Sequence, residues 1–129
     1  PVGVLAAPMI PRLNEPELEQ IIKGAAEAGA HCADYILLRL PHELAPLFSD
    51  WLDEHYPGQK EAILNQLRAS RDGALNSPVF GSRMRGEGQF ADLLAQRFRL
   101  IAKRLGLGKR HFQLRQDAFI RPGEQLRLF

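Results

Sequence analysis

The sequence predicts an α/β fold: two parallel strand–helix units, then a helical extension, then an extended tail. Three observations lead there. "VGVLAA" and "DYILLRL" are short apolar runs bounded by prolines, the pattern of strands covered on both faces in a parallel sheet. A single apolar stripe at helical spacing separates them, so strand, helix and strand should form a right-handed parallel unit. Beyond the second run the apolar residues recur only at helical spacing, until the pattern fades at Leu107. These transitions divide the chain into two βα units over 1–56, a helical extension over 57–106 and a tail over 107–129.

The elements follow in order. After the first strand, Asn14 is placed to cap a helix, with Glu17 three residues on to complete a capping box and Pro16 in the first turn. Leu18, Ile21, Ile22, Ala25 and Ala26 form its stripe, and Gly29 supplies a left-handed exit. Pro41 ends the second strand. Leu44, Leu47, Phe48, Trp51 and Leu52 predict a helix over 43–55, with Pro46 tolerated in its first turn. A further helix over 59–70 carries Ile63, Leu64 and Leu67, and "SRDGALNSPVFGSRMRG" reads as a loop from its Gly, Asn, Ser and Pro content. The longest stripe, Phe90, Leu93, Leu94, Phe98, Ile101, Ala102 and Leu105, closes at Gly106.

Composition narrows the possibilities. With 45% apolar and 25% charged residues in 129, the chain can bury an ordinary core. No apolar run approaches the ~20 residues of a membrane span, which leads us to expect a cytoplasmic protein with no membrane partner. Its single cysteine, Cys32, excludes an intramolecular disulfide and any cluster needing several thiolates from this chain. Charge is uneven: residues 1–67 hold 4 Lys/Arg against 10 Asp/Glu, a net −6, and residues 68–129 hold 13 against 5, a net +8. Such asymmetry suits an anionic partner for the second half, or simply a solvated basic face. Two parallel strands are too few to stand alone, so either strands precede Pro1 in the native protein or copies of the chain associate over the sheet edges.

Candidate sites lie where the strands end. In parallel βα folds the loops leaving the carboxyl ends of strands build the functional rim, which here means Met9–Asn14 and Leu40–Glu43. The helix expected at Asn14 would point free amides at that rim and suit an adenosine or carboxylate ligand; alternatively Ile10, Pro11 and Asn14 only shape a turn. His42 and Glu43 could contact a ligand or start a helix. His31, His55 and His111 share no metal-ligand spacing, and no metal set or catalytic residue is assigned. Arg83 and Arg85 precede the amino end of the longest helix, where cations are unfavourable unless an anion joins them. That anion is nucleic acid, a partner's carboxylate, or an internal acid such as Glu87 or one upstream. Arg97, Arg99, Lys103 and Arg104 read as a solvated face. The final "QLRLF" places Leu128 and Phe129 at the carboxyl terminus, where they must dock on something, their own core included.

Two resemblances follow from these residues. Gln125, Leu126, Leu128 and Phe129 resemble the Q-L-x-L-F peptide with which bacterial polymerases and repair proteins dock on the sliding clamp. The order "APMIPRLNEPELEQIIKGAAEAGA", "DYILLRLPHELAPLFSDWL" and Phe80–Ala91, "FGSRMRGEGQFA", resembles the last two βα units of a radical S-adenosylmethionine partial barrel of TIM type. The branch is the spore-photoproduct-lyase-like one, often labelled DNA repair photolyase. This resemblance implies S-adenosylmethionine and a 4Fe-4S cluster for the full-length protein. The C-x3-C-x2-C loop that binds the cluster would lie after the first strand of the barrel and is not in this sequence. No cofactor is therefore assigned to this chain, which would be inactive alone and need the upstream part of its own barrel. What carries over by resemblance is the adenosine side of the pocket: Ile10, Pro11, Asn14, Leu40, Pro41 and His42. Where the family has glycine this chain has Arg12. The competing class is a non-catalytic module that binds DNA or the clamp.

Overall fold

A computed structural model describes residues 1–108 of the chain. The clamp-like residues Gln125, Leu126, Leu128 and Phe129 lie outside the described residues. The molecule is mixed α/β, with a small parallel sheet and four α-helices among the described residues. Strand β1 (Gly3–Met9) leads through a 3-10 turn (Glu15–Glu17) into α1 (Leu18–Glu27) and then β2 (Cys32–Leu37). Helices α2 (Leu44–His55), α3 (Lys60–Ala69) and α4 (Gln89–Arg104) follow. None of these helices is long and apolar enough to cross a membrane.

The two strands pair in parallel, from Gly3 opposite Cys32 to Met9 opposite Leu37, with a register shift between Ala6 and Met9. The Ala7–Pro8 peptide within that shift is cis. One face of the sheet carries Val4, Ala6, Met9, Ala33, Tyr35 and Leu37, and helices α1 and α4 pack over it. Leu18 and Ile22 of α1, Leu94 and Ala102 of α4, Leu52 of α2 and Ile63, Leu64 and Leu67 of α3 complete a single core. The opposite face is open: Leu5 is 55% exposed. The expectation that both strands are covered on both faces therefore fails within the described residues. Each strand alternates, as period-two geometry requires when only one side is packed.

The outer edge of β2 is closed without a third strand. In a strand, alternate residues turn their backbone groups to the same edge. On β2 these are Ala33, Tyr35 and Leu37. Ala33 donates to the Leu107 carbonyl at 3.1 Å, Tyr35 to the Asp34 carboxylate at 3.0 Å, and Leu37 to the Met84 carbonyl at 2.9 Å. Leu107 reaches its place because the chain reverses after α4: Gly106 takes φ 70°, and Leu107 N–H returns to the Ala102 carbonyl at 2.8 Å. Among the described residues β1 pairs with β2 and with no other strand.

Helix α1 does not begin as the sequence predicts. Asn14 sits in the right-handed helical region, makes no side-chain cap and leads into the 3-10 turn, so α1 starts only at Leu18. No capping box with Glu17 forms. The start of the helix is held instead by Arg97 of α4, which grips the Glu15 carboxylate and carbonyl and pairs with Glu19 at 2.7 and 2.8 Å. Arg97 is thus no part of a solvated face. Its hydrogen bonds to Glu19, then to Glu15, raise its pKa and keep it charged.

This network sets a pH dependence. The Arg97 hydrogen bond holds the Glu19 carboxyl below its usual value, so its stabilising contribution is present above the unfolded carboxylate pKa and is lost as pH falls through the folded one. Denaturant titrations of the Arg97→Met variant should show a shallower loss of stability between about pH 5 and pH 3 than the parent. Because Glu19 is partly exposed, the difference should be below about 1 kcal/mol. Identical slopes would show that the bridge is uncoupled from folding.

Candidate functional site

The two loops leaving the strands meet. Leu38 N–H donates to the Met9 carbonyl at 2.9 Å, which ties the end of β2 to the end of β1 and makes one rim of Met9–Asn14 and Leu38–Glu43. In the first loop, the Ile10 carbonyl accepts from Leu13, Asn14 and Glu15 N–H at 3.1–3.3 Å. Asn14 closes the turn from inside: its Oδ1 accepts from Ile10 N–H at 2.6 Å and its Nδ2 donates to the Pro8 carbonyl at 2.9 Å. A side chain committed this way is a loop clamp rather than a free donor.

Pro11 and Leu40 are buried among the core packing, and Ile10 and Pro41 are half-buried. Arg12 and His42 are exposed. Both hold the left-handed conformation, φ 66° at Arg12 and 48° at His42, one in each loop. Such strain in non-glycine residues persists where the surroundings fix the chain, and it clusters at ligand sites. Of the residues singled out from the sequence, Ile10, Pro41 and His42 therefore remain accessible at the rim, with Arg12 beside them in the chain.

Arg83 and Arg85 part company. Arg85 turns inward, pairs with Asp34 and lies over the Tyr35 ring, 4.1 Å from its centroid. That is the internal upstream acid the sequence left open. Arg83 lies over the ring of Phe80 at 5.3 Å. Phe80 itself is 88% exposed, a large aromatic side chain in water beside a cation.

A third component of the rim gave no signal in the sequence. Arg71, just past α3, is 4% exposed. Its Nη2 donates to the carbonyls of Leu37 and Leu38 and its Nη1 to that of Arg83, each at 2.9 Å. Leu40 N–H donates to the Leu75 carbonyl, so the segment from Ser70 to Glu87 is laced onto the carboxyl end of β2. It borders an open pocket of about 300 Å³. Gly86 allows the close approach: at φ 73°, a Cβ there would stand 2.8 Å from Leu37 Cδ2 and 2.9 Å from the Ser70 carbonyl. Arg71 could have been found only from its neighbours in space, since the loop has no period.

Among the described residues no three His, Cys, Asp or Glu side chains gather to hold a metal ion. Comparison of the chain with protein-family models, with curated proteins and with solved structures returns no significant match.

Two substitutions and a control test this arrangement. Asn14→Ala removes both bonds of the clamp and should lower unfolding free energy by about 1–3 kcal/mol in urea titrations; an unchanged midpoint would mean the loop holds itself. Gly86→Ala should lose on the order of 2 kcal/mol or more from strain and overlap. Gly58→Ala, which meets nothing within 4 Å, should be close to neutral.

Proposed function

We propose that this chain is the carboxyl-terminal part of a radical S-adenosylmethionine enzyme. In this reading β1, α1, β2 and α2 are the last two βα units of a partial TIM-type barrel, and the segment from 57 onward is an appended helical region. The observation that carries the reading is the asymmetry of the sheet. The outer edge of β2 is sealed by Met84, Asp34 and Leu107, and β1 has no strand on its other side among the described residues. A sheet built this way can grow only through β1, as a terminal piece of a larger parallel sheet would.

A second observation supports the same reading. Arg12 occupies a left-handed turn position where the resembled family has glycine, the residue for which that conformation is least costly. Ile10, Pro41 and His42 would form the accessible adenosine side of the pocket, with Pro11, Leu40 and Asn14 behind them fixing the loops. S-adenosylmethionine and a 4Fe-4S cluster would supply the radical chemistry. With Cys32 as the only thiol, this chain holds no cluster by itself. Its own residues bind and orient. The open face around Leu5 would be covered by the upstream barrel, or by a second copy when the chain is isolated. A cytoplasmic setting and a role in DNA repair complete the proposal.

Docking to nucleic acid is the second reading, and Phe80 favours it. An exposed ring with Arg83 over it offers a base a stacking surface next to a cation, in the basic half of the chain.

The gene decides between them. Translation upstream of Pro1 should reveal an in-frame C-x3-C-x2-C loop about 200 residues earlier, as expected for a barrel of ~250 residues. The intact product should bind S-adenosylmethionine, with affinity reduced about tenfold or more when Ile10 and His42 are replaced by Glu. A start codon at Pro1, or binding indifferent to both substitutions, would contradict the enzyme reading.

A further inference from the structure

Helix α4 has two unlike sides. Ala91, Leu94 and Ala102 are buried against the core, whereas Leu93 and Leu100 on the outward side are 54% and 63% exposed. Asp92, Gln96, Arg99 and Lys103 are exposed with them. At about 100° per residue, Gln96 marks the middle of this outward side, and Leu93 and Leu100 fall about 40–60° to one flank of it. Asp92, Arg99 and Lys103 fall about 20–60° to the other. The outward side is therefore divided lengthwise into a leucine ridge and a charged ridge. Among the described residues the ion pairs of α4 run through Arg97, and none of the three charges on the ridge joins them. Arg99 and Lys103 are four residues apart and repel each other. The acid on their ridge, Asp92, stands seven residues from Arg99, about 10 Å along the axis and too far to pair with it.

From this division we propose that the outward side of α4 is an interface between two copies of this chain, packed antiparallel about a two-fold axis at Gln96. A two-fold axis that reverses the helix direction keeps each flank on its own side. Leu93 then packs against the partner copy's Leu100, and Leu100 against its Leu93. On the other flank Asp92 comes beside the partner copy's Arg99 and Lys103, and the repulsion between those two cations is relieved. Both ridges are centred within about two residues of Gln96, so one axis serves both. A parallel pair crosses the flanks instead. It sets leucines against charges and leaves each Asp92 level with the other, away from the bases.

The order of the charges selects a second copy as the partner. An acid followed by two bases along one ridge is complementary to its own reverse, and the leucine ridge is likewise its own match. This surface faces away from the sheet that α4 covers, so it is separate from the open face around Leu5. The pairing does not depend on the enzyme reading of the rim. A contact of one helix with one helix falls short of the roughly 1,200 Å² of stable complexes, so the dimer is weak.

Sedimentation of the full chain from about 10 μM to about 1 mM tests the proposal and should show monomer passing into dimer. Leu100→Glu and Asp92→Lys should each raise the dissociation constant about tenfold or more, with unchanged circular dichroism spectra. Asp92 and Lys103 also suit the two ends of their own helix dipole, so a mixing experiment separates the roles. Asp92→Lys sets a cation against the partner copy's bases, and the double variant Arg99→Asp, Lys103→Asp sets acids against its Asp92. Each variant alone should be monomeric. Their equal mixture should recover the dimer, because both charged contacts of the mixed pair join opposite signs. Monomer at every concentration of the parent, or a mixture no more associated than its components, would overturn the proposal. Association that is lost in Leu5→Glu and unchanged in Asp92→Lys would place the contact on the open sheet face and overturn the assignment to α4.

Discussion

The buried guanidinium of Arg71 is the constraint on which the rim depends. A charge out of water is stabilised only when its donors are matched, and three of its bonds reach carbonyls contributed by two separate parts of the chain. Leu37 ends β2 and Leu38 follows it, and Arg83 belongs to the turn before α4. One side chain thus fixes where the second strand stops and where the following loop returns. Met84 can then present its carbonyl to Leu37 N–H, and Gly86 can pass close to Leu37 and Ser70. The strand edge, the pocket and the approach to α4 all follow from that single placement.

A second arginine does comparable work across the sheet. Arg97 joins α4 to the start of α1 through Glu15 and Glu19, and the two helices lie together over Ala6, Ala33 and Tyr35. Arg85 makes the third such link, from the turn before α4 to Asp34 and the Tyr35 ring. Of the arginines that by charge counting belong to a basic half, Arg85 and Arg97 are paired with internal carboxylates, and Arg71 is buried against carbonyl oxygens. The excess of +8 overstates what is available to a partner. Among residues of that half, Arg83 with the exposed Phe80 has the geometry of a contact surface.

The sequence was informative wherever the determining interactions were local. Short apolar runs bounded by prolines located both strands, and helical stripes located α2, α3 and α4 within a residue or two, because the helical period is set by the packed face itself. The start of α1 was misread because Asn14 has two local options. Capping forward competes with clamping back onto Ile10 and Pro8, and the turn geometry selects the second. Coverage of both strand faces was inferred from composition, which cannot say which chain supplies the cover. The rim loops were legible as strand ends followed by prolines. Arg71 and the pairing of Arg97 were not, since their partners lie outside any local pattern; Arg71 acts across 33 and 34 residues and Arg97 across 78 and 82.

The claim that most needs testing is that Arg71 holds the Ser70–Glu87 segment against β2 and so closes the outer edge of the sheet. Amide hydrogen exchange of the parent and an Arg71→Met variant, followed at Ala33, Leu37 and Leu40, addresses it directly. The structure predicts that all three amides are protected in the parent, and that Leu37 and Leu40 lose protection in the variant while Ala33, held by Leu107, retains it. Equal protection of Leu37 in both proteins, or rapid exchange of Leu37 in the parent, would contradict the account.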